Sequence, residues 1–300
     1  MIRVITDSTA SIPAEMAKEH GIQVVTMRLT YKGVEYDDAT MDLDEFYKDI
    51  QSMVDDIPTS SQPSQAQLEE VFEDAAKVGD EVCAVFMGAR MSGTVNGAAL
   101  AARSVKERYP DFEYRVIDST SNSFDEGWGA FEAAAARDEG CDLEECCKRA
   151  VHAIKCSRYL FTPESLRFLK AGGRIGGAAA LLGNLIKLCP IITVSEGQAD
   201  TFGKARTQKN AIKVIVEKFK ADVEEYGLKN VVVHYIGDSK PAIAFAREFI
   251  DPIAQRVVDV IPVSACVGLH VGPAVAVTYL CKREIAGKLS PNYPQLVFSS

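Results

Sequence analysis

Strand-like and helix-like segments alternate along nearly all of the 300 residues, and this alternation limits the available folds more than any other feature. Ile2 to Thr6, Glu81 to Met87 and Tyr114 to Ile117 are short apolar runs of strand length, each followed by a stretch with helical spacing. Asp42 with Glu45, and Ser64 with Gln67, have the capping-box spacing, in which side chain and backbone satisfy each other's free groups. Ile22 to Tyr36 reads as extended chain turning at Lys32-Gly33, and two helices fill about 124–139 and 142–157. The second half reads strand 158–161, helix 163–170, apolar helix 175–187, strand 189–194 and helix 207–226. Strand 230–236, helix 239–250, strand 256–262 and a last apolar element complete it. Such alternation predicts an α/β protein with mostly parallel sheets.

The length suits one large domain or two of middling size. Residues 1–157 hold 30 acids and 15 bases, whereas residues 158–300 hold 12 and 18, so the charge changes sign near residue 158. The expectation is two α/β domains, 1–157 and 158–300. A net charge of −9 argues against a nucleic-acid partner, whose phosphates call for clustered Lys and Arg.

Met1-Ile2-Arg3 leads directly into a strand without the charged and apolar regions of a signal peptide, and eight cysteines show no C-x-x-C pair. Both features predict a cytoplasmic protein with reduced thiols. Ile261 to Cys281 lacks acids, Lys and Arg, but Pro262, Gly268, Gly272 and Pro273 interrupt it. Two buried elements around a tight loop fit that stretch better than a membrane span.

Two strands end alike. "RVITDSTASIP" runs into Asp7-Ser8-Thr9, and "RVIDSTSNS" into Asp118-Ser119-Thr120. An acid and small hydroxyls after a strand can cap the next helix, or line the crevice where open α/β sheets bind ligands. Four more clusters fall at similar junctions: "PTSSQPS", "GARMSGT", "KAGGRIGG" and "GLHVGP". Together they offer hydroxyls, an Arg on a glycine hinge and a His in a tight loop, an inventory suited to gripping an oxyanion. Each also has a plain structural role as turn, cap or helix stop. The chain has no G-x-x-x-x-G-K-[ST], no G-x-G-x-x-G after a strand, no G-x-S-x-G and no H-E-x-x-H. It therefore offers none of those routes to nucleotide, hydrolase or zinc chemistry. No metal or cofactor is expected. His152 and Cys156, at i and i+4, supply only two ligands.

In the order "VITDSTASIP", "TSSQPS", "MSGT", "VIDSTSNSFDEGWG", "LKAGGRIGG", "KLCPIITVSEG", "GKARTQKNAI" and "HVGP", the chain resembles the DegV family from residue 3 to 273. The resemblance implies two α/β domains with a long-chain fatty acid in a tunnel between them. It also implies, as in some members, the acyl-carrying (FakB-like) subunit of bacterial fatty acid kinase, a binding protein whose catalysis lies in a separate kinase subunit. By motif, the carboxylate contacts fall on Ser60 (where the family has Thr), Ser92, Arg174 and His270. Asp7, Ser8, Thr9, Ser61, Thr94, Asp118 and Ser119 would form the rim or second layer of that site. Gly88-Ala89 stand where the family often has two serines. The apolar segments 178–186 and 261–280 would line the tunnel, and Lys204, Arg206 and Lys209 would dock an acidic kinase surface. A monomer with room for transient membrane contact completes the expectation. Two other readings stay open: a stand-alone lipid sensor, and a small-molecule hydrolase with Ser92 as nucleophile and His270 as base.

Overall fold

The structure, a computed structural model, describes residues 1–181, 188–290 and 296–299. Its first sheet has five strands in the order Val297–Ser299, Tyr114–Asp118, Glu81–Phe86, Ile2–Asp7, Ile22–Val25. All neighbours are parallel except the edge pair formed by Val297–Ser299. Alternate residues of Glu81–Phe86 explain why helices cover both faces. Val82, Ala84 and Phe86 pack with helices Gln65–Lys77 and Thr94–Arg108. Cys83 and Val85 pack with the small residues Ala130, Ala133, Ala134 and Ala150 of helices Ser123–Asp138 and Leu143–Cys156. A strand buried on both faces loses polar/apolar alternation and becomes a continuous apolar run, as "VCAVF" does.

The second sheet corrects the expectation of parallel strands. Its order is Gln198–Ala205, Cys189–Ser195, Ser157–Pro163, Ala274–Cys281, Leu228–Ile236, Asp259–Pro262. Only the last two strands pair in parallel; the other neighbours are antiparallel. Part of the cause is a hairpin absent from the sequence reading: Glu196 and Gly197 both have positive φ (48° and 76°), the primed turn that joins adjacent antiparallel strands. The expected helix 163–170 is only Arg167–Ala171, and the expected helix 175–187 opens as a 3₁₀ turn, Gly176–Leu181. Its remainder, with most of the proposed lining segment 178–186, lies outside the described residues. Ile261 to Cys281 is divided among a strand end, helix Ala265–Val271 and strand Ala274–Cys281. No helix among the described residues is long and apolar enough to cross a membrane.

The chain passes from the first sheet's layers to the second sheet between helix Leu143–Cys156 and strand Ser157–Pro163. Val297–Ser299 then returns to the first sheet, tied by antiparallel pairing to Arg115–Ile117. One face of the second sheet is covered by helix Gln208–Tyr226, through Ala211, Ile215 and Phe219. Its other face, with Tyr159, Phe161, Ile192 and Val194, shares a core with Met27, Leu29, Phe46, Ile50 and Met87 from the first half. A small antiparallel sheet, Val34–Asp37, Arg28–Tyr31 and Thr59–Ser61, projects Ser60 toward this seam.

Candidate functional site

Ser60, Ser92, Arg174 and His270 come from four separate segments and line one cavity of about 180 Å³. Each is delivered by local chain geometry. Ser60 lies on the short strand paired opposite Leu29. Ser92 sits just before helix Thr94–Arg108, where its Oγ lies 2.8 Å from Thr94 Oγ1 and accepts from the Thr94 N–H at 3.3 Å. Arg174 follows the glycine pair that stops helix Arg167–Ala171, and its Nη1 donates to the Gly172 carbonyl at 2.7 Å. His270 occupies the last turn of Ala265–Val271, which ends at Gly272 with φ +73°.

The motif glycines have packing reasons. A Cβ on Gly172 would stand 2.2 Å from His270 Nδ1, and one on Gly272 would stand 2.2 Å from the Phe168 ring. Bare backbone at these two places lets helix Ala265–Val271 close onto the Arg174 hinge.

His270 Nε2 lies 3.4 Å from Ser60 Oγ, and its Nδ1 is buried without a hydrogen-bond partner. Burial, reinforced by the Arg174 guanidinium, pushes the imidazole down to about 4, so near neutral pH the ring is uncharged. Ser92 bonds to Thr94 while His270 faces Ser60, and among the described residues no carboxylate bonds to the imidazole. This arrangement lacks the nucleophile–base–acid chain of a hydrolase. Two hydroxyls, a guanidinium and a neutral imidazole instead suit an anion held in place. Among the described residues, no group of three or more metal-ligating side chains occurs.

Behind this polar cavity lies a smaller one of about 30 Å³, which shares Met87, Met91, Arg174 and His270 with it. Its other walls include Phe161, Leu169, Val194, Val267 and Val271. Polar pocket and apolar continuation thus meet at Arg174 and His270.

The two Asp-Ser-Thr clusters lie outside the cavity wall and hold its backbone. Asp7 accepts from Thr9 N at 2.8 Å, Thr9 Oγ1 at 2.5 Å and, across the sheet, the Met87 N–H at 3.1 Å. Ser8 Oγ accepts the Met27 N–H at 3.0 Å and donates to Asp38 at 2.6 Å, while Asp38 accepts the Cys266 N–H at 3.0 Å. Met27, Met87 and Cys266 all line the polar cavity. Asp118 accepts from Thr120 N and Ala89 N, and Ser119 Oγ donates to the Ser121 carbonyl. Capping and positioning are therefore functions of the same side chains. Ser61 lines the cavity directly, and Thr94 reaches it through Ser92.

Sequence reasoning missed Asp38 and Glu126. Both are buried, and burial holds both carboxyls above their ordinary range; Asp7 adds its charge at Glu126. An acid beside the strand end in "EYDDAT" was the available signal for Asp38; in "SFDEGWG" only the neighbouring small and aromatic residues hint that Glu126 is inside. Lys204, Arg206 and Lys209 are exposed and do not line the polar cavity; Lys209 borders a separate groove of about 960 Å³.

The architecture is two α/β sheets with a polar pocket and an apolar cavity at their seam, an arrangement suited to holding a ligand. The chain belongs to the DegV family, described as "Uncharacterised protein, DegV family", which it matches over residues 1–282. It is 35% identical over 290 residues to a DegV domain-containing protein of Clostridium acetobutylicum, covering 95% of this chain and 99% of that one. A DegV family protein from Thermus thermophilus, described by its fatty acid binding, superposes with a TM-score of 0.80 at 29% identity (93% and 99% of the two chains). A stearic acid-binding protein from Eubacterium ventriosum gives 0.84 at 26% (94% and 99%).

Proposed function

We propose that this protein binds a long-chain fatty acid and presents its carboxylate to a separate kinase subunit for conversion to an acyl phosphate. The observation that carries the proposal is the convergence of Ser60, Ser92, Arg174 and His270 on one cavity that continues into an apolar one. The carboxylate would take hydroxyl hydrogens from Ser60 and Ser92 and the charge of Arg174, with the neutral His270 holding Ser60 in register. Burial of a carboxylate without such partners is costly.

A sixteen-carbon acid buries about fifteen methylenes at ~0.8 kcal/mol each, on the order of 12 kcal/mol. Lost translational freedom and chain ordering offset several kcal/mol of that. The two cavities, about 180 and 30 Å³, fall below the roughly 300–1,000 Å³ typical of small-molecule sites. An acyl chain entering these two spaces would displace side chains. Met27, Met87 and Met91 line these spaces, and their flexible thioethers adapt at low cost.

The chain itself would supply no phosphoryl-transfer apparatus, since such catalysis rests on metal and nucleotide positioning for which it carries no motif. We place it in the cytoplasm, where a soluble kinase would meet it. Charge reversal at Lys204, Arg206 and Lys209 tests the docking face: loss of phosphorylation by the kinase with fatty-acid binding intact is the expected result. Mass spectrometry of an organic extract of the purified protein tests the binding itself. A stoichiometric long-chain acid is expected; a protein that extracts empty and stays empty after incubation with fatty acids refutes the proposal. If fatty acid is bound but no kinase phosphorylates it, the sensor reading replaces the carrier.

A further inference from the structure

We propose that the inner end of the site is built for an acyl chain bearing a hydroxyl on one of the first two carbons beyond its carboxylate, recognised by Asn122 together with Tyr159. The inference rests on the fatty-acid reading above and names the class of acid.

The inner cavity is walled mainly by apolar side chains, yet Asn122 and Tyr159 also line it. Because it shares Arg174 and His270 with the polar cavity, it receives the carbons immediately behind the carboxylate. Asn122 stands at the N-cap of helix Ser123–Asp138, where an Asn side chain ordinarily accepts from the first turn. Here it makes no capping bond. Instead its Nδ2 donates to Met91 Sδ at 3.2 Å, and the residue is only 6% exposed. A carboxamide carries two N–H donors, and a thioether is a weak acceptor, so this buried amide is poorly served.

Tyr159 is in a similar position. Ser123 Oγ lies 3.1 Å from Asn122 Oδ1 and 3.5 Å from the Tyr159 hydroxyl. Ser123 can donate to Asn122 Oδ1 while it accepts from the Tyr159 hydroxyl, so the three form one chain. That chain leaves the second Asn122 N–H and a lone pair of the Tyr159 oxygen unused, and both residues line the cavity. Ser123 is also held at φ +54° and Thr120 at +58°, so the surrounding backbone keeps these side chains in place against local preference.

An unsubstituted chain crossing this point would bury Asn122 without improving its bonding. A hydroxyl oxygen accepts from the amide and exchanges a bond with Tyr159. Sites built to bond a substrate hydroxyl discriminate strongly against the analogue that lacks it, because their own polar groups are left unpaired.

The test compares hexadecanoic, 2-hydroxyhexadecanoic and 3-hydroxyhexadecanoic acids in displacing a fluorescent fatty acid from the lipid-stripped protein. One hydroxy isomer is expected to bind about tenfold more tightly than the unsubstituted acid. Asn122→Leu is expected to bring that ratio to about one, and Tyr159→Phe to reduce it. The wild-type ratio stands without either variant, should one fail to fold. Hexadecanoic acid binding as tightly as both hydroxy acids overturns the inference while leaving fatty-acid binding intact. If none of the three displaces the probe or binds directly, the fatty-acid reading falls and this inference with it.

Discussion

Replacing Glu126 by Gln is expected to make the protein progressively more stable than wild type as pH rises above the ordinary glutamate range. The reasoning is a proton count. Thr9 Oγ1 lies 2.5 Å from Asp7 Oδ1 and 2.9 Å from Glu126 Oε2, but it has one hydrogen to give. If that hydrogen goes to Asp7, the contact with Glu126 requires a proton on the glutamate. Thr6 Oγ1 is 3.0 Å from the other oxygen. Burial, followed by the charge of Asp7, holds Glu126 well above 4.5, in agreement with that count.

A carboxyl whose pKa is raised by folding stabilises the native state fully below its unfolded value, and that stability is lost as pH rises toward the folded value. While Glu126 is protonated in the folded chain and ionised in the unfolded one, each pH unit costs about 1.4 kcal/mol. Glutamine carries no such charge and preserves the shape. Between pH 5 and 6 the variant should therefore gain about 1.4 kcal/mol on wild type. Asp7, raised from 3.8 to about 6 chiefly by burial, contributes its own loss in both proteins between those two values, ~3 kcal/mol in all. Urea unfolding at half-unit pH steps measures the difference. Parallel stability curves for the two proteins would show an ionised Glu126 and refute the proton count.

Gly172→Ala keeps a helix-compatible backbone but drives its Cβ toward His270 Nδ1; fatty-acid affinity should fall at least tenfold in a displacement assay with little change in melting temperature. Gly268→Ala would strike the Tyr47 hydroxyl, whose one hydrogen is shared between the Val263 and Ser264 carbonyls; a loss of about 1–3 kcal/mol in denaturant unfolding is expected. Because His270 titrates near 4, affinity should be flat in a binding titration from pH 6 to 8, and a midpoint near 6.5 would contradict a neutral buried imidazole. We propose 157/158 as the boundary between two folding units, and fragments 1–157 and 158–300 expressed together should co-purify through their shared core; halves that elute apart would speak against it.

The first sheet was legible in the sequence because its information is local. Runs such as "VCAVF", buried on both faces, and the capping box at Ser64 and Gln67 declare strand and helix within a few residues. Ser60, Ser92, Arg174 and His270 were named through the family resemblance, because the motifs that carry them are contiguous in the chain. Strand direction in the second sheet was not legible. An apolar run has the same composition whether its neighbour runs with it or against it, and Ala274–Cys281 finds its partners Ser157–Pro163 and Leu228–Ile236 only through long-range pairing. Tertiary structure likewise decided the roles of the acids. Asp38 and Glu126 look like ordinary surface carboxylates in one dimension, and Asp7 shows there only as a cap or crevice candidate. Folding desolvates them, and only then do their hydrogen bonds to Met87, Cys266 and Thr9 acquire a direction and a proton inventory.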